Sequence, residues 1–209
     1  MTCKQSIIDN WKNYIENNLL PIVKDCGNTM EGNIYSRNYE FDRSDLLNQK
    51  QENFVKVITE NLEKKKILEI GFNAGYSSLL MLMSNPDIEM LCVDINDHKY
   101  TKPCYEKIKE DFDNITLITE SSLVALPNLI EYHNIYDIIH VDGGHNQDIV
   151  QKDVDNSLKL CESGSLLIVD DTNMAHINKI CNNLVDNNIV KQYLKQSNGR
   201  YKHSVLEVL

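Results

Sequence analysis

Residues 67–78, ILEIGFNAGYSS, decide the fold of this 209-residue chain. Ile67, Leu68 and Ile70 read as a buried strand, Gly71 and Gly75 bracket a loop, and Tyr76 opens an apolar helix. Glycine tolerates positive φ and lets another group approach the backbone closely. In a doubly wound sheet such a turn lies beyond the carboxyl ends of the strands, where ligands bind. The spacing is Glu69-x-Gly71-x-x-x-Gly75. It departs from the dinucleotide fingerprint because Asn73 stands at the middle glycine of G-x-G-x-x-G.

Outward from this turn the chain alternates. Apolar runs at 66–71, 89–94, 115–119, 136–142 and 164–170 are separated by amphipathic segments near 76–84, 100–112, 122–132, 147–160 and 174–187. The runs are nearly continuous, as expected of parallel strands covered on both faces. Five such units predict an α/β, doubly wound, mostly parallel sheet. At the end, IVKQYLKQ and YKHSVLEVL flank Ser197-Asn198-Gly199-Arg200, and Asn-Gly is a strong hairpin signal. This puts one reversed strand into the sheet.

The beginning is different. Residues 5–20 carry Ile7, Ile8, Trp11, Ile15 and Leu19 at helical spacing, and 46–62 carry Leu47, Phe54, Val57, Ile58 and Leu62. Between them, 25–45 has no period, which suits a lid or binding loop containing Arg37, Tyr39, Asp42 and Arg43. The expected division is 1–63, N-terminal helices with a lid-like loop, and 64–209, the ligand-binding domain. The helix around Trp11 is a candidate surface for a homo-oligomer.

Lys plus Arg is 21 and Asp plus Glu is 31, a net charge of −10. An acidic surface repels phosphate backbones and anionic lipid, so neither nucleic acid nor membrane is an expected partner. The longest apolar run, 79–83, is far short of the roughly 20 residues of a membrane span. Six cysteines are scattered without a C-x-x-C pair. That pattern suits a reducing compartment, and a cytoplasmic location is expected.

Chemistry-bearing residues gather at strand ends. Asp94 closes the second strand, about 20 residues past the loop, where an acid accepts from ribose hydroxyls. A helix cap is the plainer alternative. Asp142 closes the fourth strand, and Asp170 and Asp171 close the fifth. Three carboxylates on one edge repel unless a cation joins them, and oxygen donors suit Mg²⁺, Mn²⁺ or Ca²⁺. Here too, capping is the alternative for Asp170 and Asp171.

ILEIGFNAGYSSLLML followed by LCVDIN resembles the first two motifs of class I S-adenosylmethionine-dependent methyltransferases. The resemblance implies their Rossmann-like fold of seven strands with an antiparallel last strand. It implies S-adenosylmethionine as cofactor. Glu69 and Gly71 would lie near its methionine end, with Asn73 and Gly75 in the same loop and Asp94 on the ribose. Ser121 and Ser122 would lie at the adenine edge, unless they cap the following helix. VDGGH and VDD together resemble the metal site of catechol- and caffeoyl-type O-methyltransferases, and more closely the group that includes sugar O-methyltransferases. That implies Mg²⁺ or Mn²⁺ at Asp142, Asp170 and Asp171, with Asp142 also beside the cofactor. Asp171 stands where the catechol-type enzymes often have Asn. His145 stands where their base is Lys, which makes His145 and Asp142 the expected catalytic pair. His98, His140 and His176 are weaker candidates, His140 as a structural residue inside a strand.

The function expected is metal-assisted methylation of a hydroxyl on a small molecule, with a sugar or other polyol preferred. A nicotinamide-dependent oxidoreductase is the alternative, disfavoured by Asn73. A non-catalytic module of the same fold is the third reading.

Overall fold

The structure, a computed structural model, describes residues 3–27, 36–37, 40–41, 48–194 and 202–209. Seven strands form one sheet: β1 (Lys66–Ile70), β2 (Glu89–Asp94), β3 (Ile115–Thr119), β4 (Ile138–Val141), β5 (Leu166–Val169), β6 (Val190–Leu194) and β7 (Ser204–Val208). Their order is β3-β2-β1-β4-β5-β7-β6, and β7 runs antiparallel to both its neighbours. This is the doubly wound, mostly parallel sheet with a reversed last strand that the sequence predicts. The hairpin turn at 197–200 lies outside the described residues.

Successive side chains of a strand point to opposite faces, so two cores form. Ile67, Cys92, Ile138 and Ile168 pack beneath α1 (Cys3–Tyr14), α3 (Asn48–Thr59), α4 (Tyr76–Ser84) and α5 (Thr101–Asp111). Leu68, Val93, Ile139 and Leu167 pack beneath α6 (Ser122–Glu131), α7 (Gln147–Lys159) and α8 (Ala175–Asp186). The central strands β1, β2, β4 and β5 are thus covered on both faces, while the edge strands β3 and β6 are partly exposed. Among the described residues no helix is long and apolar enough to cross a membrane.

The N-terminal helix does not stop at residue 20. A π-helical turn, Ile15–Leu19, carries it into α2 (Leu20–Asp25). Pro21 has no N–H to donate and its ring crowds the preceding turn. A widened turn accommodates both faults, and burial of Ile15, Leu19, Leu20 and Val23 holds the chain on course. Trp11 itself faces inward. It is fully buried, its Nε1 donates to the Tyr76 carbonyl at 2.7 Å, and its ring meets Tyr76 edge-on. Trp11 therefore pins the N-terminal helix to the start of α4. Two short strands, Ser36–Arg37 and Glu40–Phe41, pair within the expected lid. Tyr39, Asp42 and Arg43 lie outside the described residues.

Candidate active site

One cavity of about 930 Å³ lies over the carboxyl ends of β1, β2, β4 and β5. Its floor is the glycine turn. The Gly71 N–H continues the ladder to the Val93 carbonyl at 2.8 Å, and Gly71 has φ of 94°. A Cβ on Gly71 would stand 2.0 Å from the Asp142 carbonyl oxygen, so only glycine lets β1 and β4 exit side by side. Gly75 precedes α4 in a left-handed conformation, where a Cβ would strike the Phe72 ring and Ile108.

Asp94 lines the cavity and braces this turn. One carboxylate oxygen accepts from the Asn73 N–H at 2.8 Å and the other from the Asn96 N–H at 2.7 Å. Each oxygen keeps a second lone pair, so both can also accept from a diol. Asn73 itself is left-handed, at φ of 52°. Ser121 caps α6, accepting from the Leu123 N–H at 3.3 Å, and lines the cavity together with Ser122. His98 stacks on Tyr100 in the same wall.

Glu69 is placed differently. It is fully buried, accepts hydrogen bonds from the Ser77 and Ser78 hydroxyls and meets His140 Nδ1 at 2.9 Å. It stands behind the cavity wall; Ser77 and His140 are the members of this group that line it.

The acidic cluster follows from strand register. Val141 pairs with Val169, so Asp142 and Asp170 leave adjacent strands side by side, and the Asp170 N–H still reaches the Val141 carbonyl at 3.0 Å. Asp171 diverges through a left-handed backbone, φ 53°, and its carboxylate meets His145 Nε2 at 2.6 Å. Two potential ligand groups result, His140–Asp142–Asp170 and Asp142–His145–Asp171, each with its ligand atoms within 4.8 Å of one another. Asp142 is common to both, while Asp170 and Asp171 are divided between them.

Charges decide how these groups titrate. Desolvation, then the Asp170 carboxylate, pushes the Asp142 carboxyl well above the ordinary range. Desolvation acts the same way on Asp170, but the Lys50 ammonium outweighs it, and Asp170 is held below that range. The hydrogen bond to Asp171 raises the His145 imidazole. Such displaced pairs in a cleft mark functional sites. An oxygen-rich donor set with a carboxyl awaiting a counter-charge fits a divalent cation.

Lys50 was not legible as a site residue. It comes from α3, lines the cavity and is ion-paired with Asp170. Its signal is positional: Lys50 stands one helical turn before Phe54, in the spacing of the buried residues Phe54, Val57 and Ile58, where an apolar residue belongs. A Tyr-x-x-x-Lys pair, whose absence was expected and would count against a nicotinamide-dependent oxidoreductase, is in fact present as Tyr105 and Lys109. There Lys109 Nζ donates to the Tyr105 hydroxyl at 2.9 Å on α5, and neither residue lines the cavity.

The methyltransferase-domain family matches residues 68–172, half of the chain, from β1 through the acidic pair. The chain belongs to this family. Solved structures agree with its class I methyltransferase fold. The O-methyltransferase TomG from Streptomyces achromogenes, involved in tomaymycin synthesis and solved with S-adenosylmethionine, superposes with a TM-score of 0.67 at 16% identity, covering 92% of this chain and 90% of that one. An O-methyltransferase from Bacillus cereus, solved with S-adenosylhomocysteine, gives a TM-score of 0.64 at 16% identity, covering 97% and 99%. No curated protein matches this methyltransferase. At these identities the neighbours establish its fold, and the reaction has to be argued from the site.

Proposed function

We propose that this methyltransferase is S-adenosylmethionine-dependent and methylates a hydroxyl of a small molecule, a sugar or related polyol, with Mg²⁺ or Mn²⁺ at its acidic cluster. The observation that carries the reading is the position of Asp142. Its carbonyl packs against Gly71 of the cofactor turn, and its carboxylate belongs to both potential ligand groups. Donor and acceptor sites therefore meet at one residue.

Asp94 takes the ribose hydroxyls, with Ser121 and Ser122 at the adenine edge. Gly71, Asn73 and Gly75 admit the methionine end, and Glu69 acts there through Ser77. Asp142, packed against Gly71, would lie where the methyl donor and the acceptor meet. Asp142, Asp170 and Asp171 would hold a divalent ion, which supplies the Lewis acidity that lowers the pKa of the acceptor hydroxyl. His145 takes the hydroxyl proton. Asp171 holds its Nε2, leaving Nδ1 to accept, the division of labour seen in histidine–aspartate pairs. The acceptor oxygen forms its bond to the methyl carbon as the sulfur departs as a neutral thioether. His176, whose Nε2 lies 2.9 Å from the His145 carbonyl, steadies this turn. The helices α1 and α3 border the acceptor side, a role supported by Trp11 and Lys50 in the cavity wall.

The test is transfer of labelled methyl from S-adenosylmethionine to a panel of hydroxylated small molecules, sugars included, in the presence of Mg²⁺ or Mn²⁺. A product methylated on oxygen is expected. Methylation of amines alone, or reduction of a nicotinamide cofactor, would replace the reading.

A further inference from the structure

At the cavity wall, β2, β1 and β4 place Cys92, Glu69 and His140 in one row, since Glu69 pairs with both of the others in register, and His140 is the member that lines the cavity. All three are buried, and the row faces α3 and α4. Glu69 meets Nδ1 of His140 at 2.9 Å, and Phe54 of α3 packs edge-on against the imidazole at 5.0 Å between centroids. The ring is thus fixed in tautomer and in plane. Its other nitrogen, Nε2, is buried and has no hydrogen-bond partner.

An orphaned nitrogen in a fully buried histidine is costly unless something else fills the lone pair. Asp142 lies two residues beyond His140, on the same face, and Asp170 leaves the next strand beside it. A His140 ring nitrogen and one carboxylate oxygen each of Asp142 and Asp170 lie within 4.8 Å of one another. With Nδ1 on Glu69, Nε2 is the atom left for a ligand. An imidazolium would instead donate from Nε2 to one of the two carboxylates, and no such hydrogen bond is formed. A carboxylate holding one nitrogen of a histidine while the other faces a cation site is the arrangement that orients metal-ligating histidines.

We infer that His140 is a nitrogen ligand of the divalent-ion site, oriented by Glu69, in the place given above to Asp171, whose carboxylate is engaged by His145, so that the site takes His140, Asp142 and Asp170 and prefers Mn²⁺ or a later transition ion to Mg²⁺. This rests on the proposed metal dependence and sharpens it, because carboxylates alone suit Mg²⁺ whereas an imidazole favours transition metals. Lys50 shares Asp170 with the ion, which a carboxylate with four lone-pair sites allows.

The experiment is pulsed electron paramagnetic resonance on the Mn²⁺-loaded protein, with Mn²⁺ and Mg²⁺ affinities measured by calorimetry and S-adenosylhomocysteine binding as the control for folding. Nitrogen modulation from a directly bound imidazole is expected in wild type and in His145→Ala, and its loss is expected in His140→Phe. Mn²⁺ affinity should fall about 10–100-fold in Glu69→Gln, the usual effect of removing the partner that orients a ligand. Should His140→Phe fail to fold, the His145→Ala protein decides alone. Mn²⁺ bound without nitrogen modulation, or with modulation lost in His145→Ala, overturns the role of His140 and leaves metal dependence standing. Wild type that binds neither ion overturns both.

Discussion

The ammonium of Lys50, on α3, is ion-paired with the carboxylate of Asp170, at the end of β5, with both side chains buried. The two residues are 120 positions apart. The pair ties α3 to the acidic edge of the sheet. It also gives that edge a cation of its own, and two further carboxylates, Asp142 and Asp171, remain beside it.

Lys50→Met should expose this arrangement. Removing one partner of a buried pair typically costs about 3–5 kcal/mol, because the other charge is left uncompensated. Chemical denaturation in EDTA should show that loss. Added Mn²⁺ should restore more stability to the variant than to wild type, since the ion supplies the missing charge to Asp170. Equal stabilisation of the two proteins would mean that Asp170 does not touch the ion.

Asp94→Ala should weaken S-adenosylhomocysteine binding by about 1.5–3 kcal/mol, the range for hydrogen bonds to a charged group. Asp94 also braces the Asn73 N–H, so the variant loosens the glycine turn as well as losing the ribose contact. Calorimetry that finds unchanged affinity would remove Asp94 from the cofactor site.

Chelation should separate two functions of the cavity. EDTA is expected to abolish turnover and leave cofactor affinity nearly unchanged, because Asp94, Ser121 and the glycine turn contribute no atom to either potential ligand group. Turnover at the full rate in chelator would reduce the aspartates to structural groups.

How much of this was legible in the sequence depends on what fixes each feature. The five parallel strands were readable because a strand covered on both faces must be apolar throughout, as Leu166–Val169 is. The glycine turn and the strand-end aspartates were readable because local conformation and chain position define them. Strand order is different. The contact between Glu69 and His140 exists because β1 lies next to β4, and nothing in either segment specifies that neighbour. Hence Glu69 was expected at the cofactor and His140 as structure alone. Lys50 escaped for a related reason, since its partner is far along the chain. The π-helical turn before Pro21 depends on the packing of Leu19, Leu20 and Val23, which lets the helix absorb a proline that would otherwise end it.

Asp153 offers a prediction about stability. It is buried on α7 beneath Gly143 and near Ser122, and desolvation raises its carboxyl to about 6, with Ser122 opposing. A carboxyl raised above its unfolded value of 3.8 binds protons more readily when folded between those values. Its penalty is absent below pH 3.8 and grows as pH rises through 6. Asp153→Asn should therefore stabilise the protein at pH 7.5 by on the order of 1–3 kcal/mol and change little at pH 4. Urea midpoints at the two pH values check it; equal shifts at both would show that the carboxylate carries no penalty.

The central claim is that His145 removes the acceptor's proton, and the pH–rate profile of His145→Ala tests it most directly. The base must be neutral to act, and the Asp171 hydrogen bond holds the protonated form to higher pH than an ordinary histidine's 6.5. In wild type, kcat should rise with pH through a limb centred above 6.5. The variant should lose about 10²–10⁴-fold in kcat, the usual contribution of a general base, and should lose that limb, with S-adenosylhomocysteine affinity unchanged. A His145→Ala enzyme that keeps near-wild-type kcat and the same rising limb would contradict the account and move the base elsewhere in the cavity.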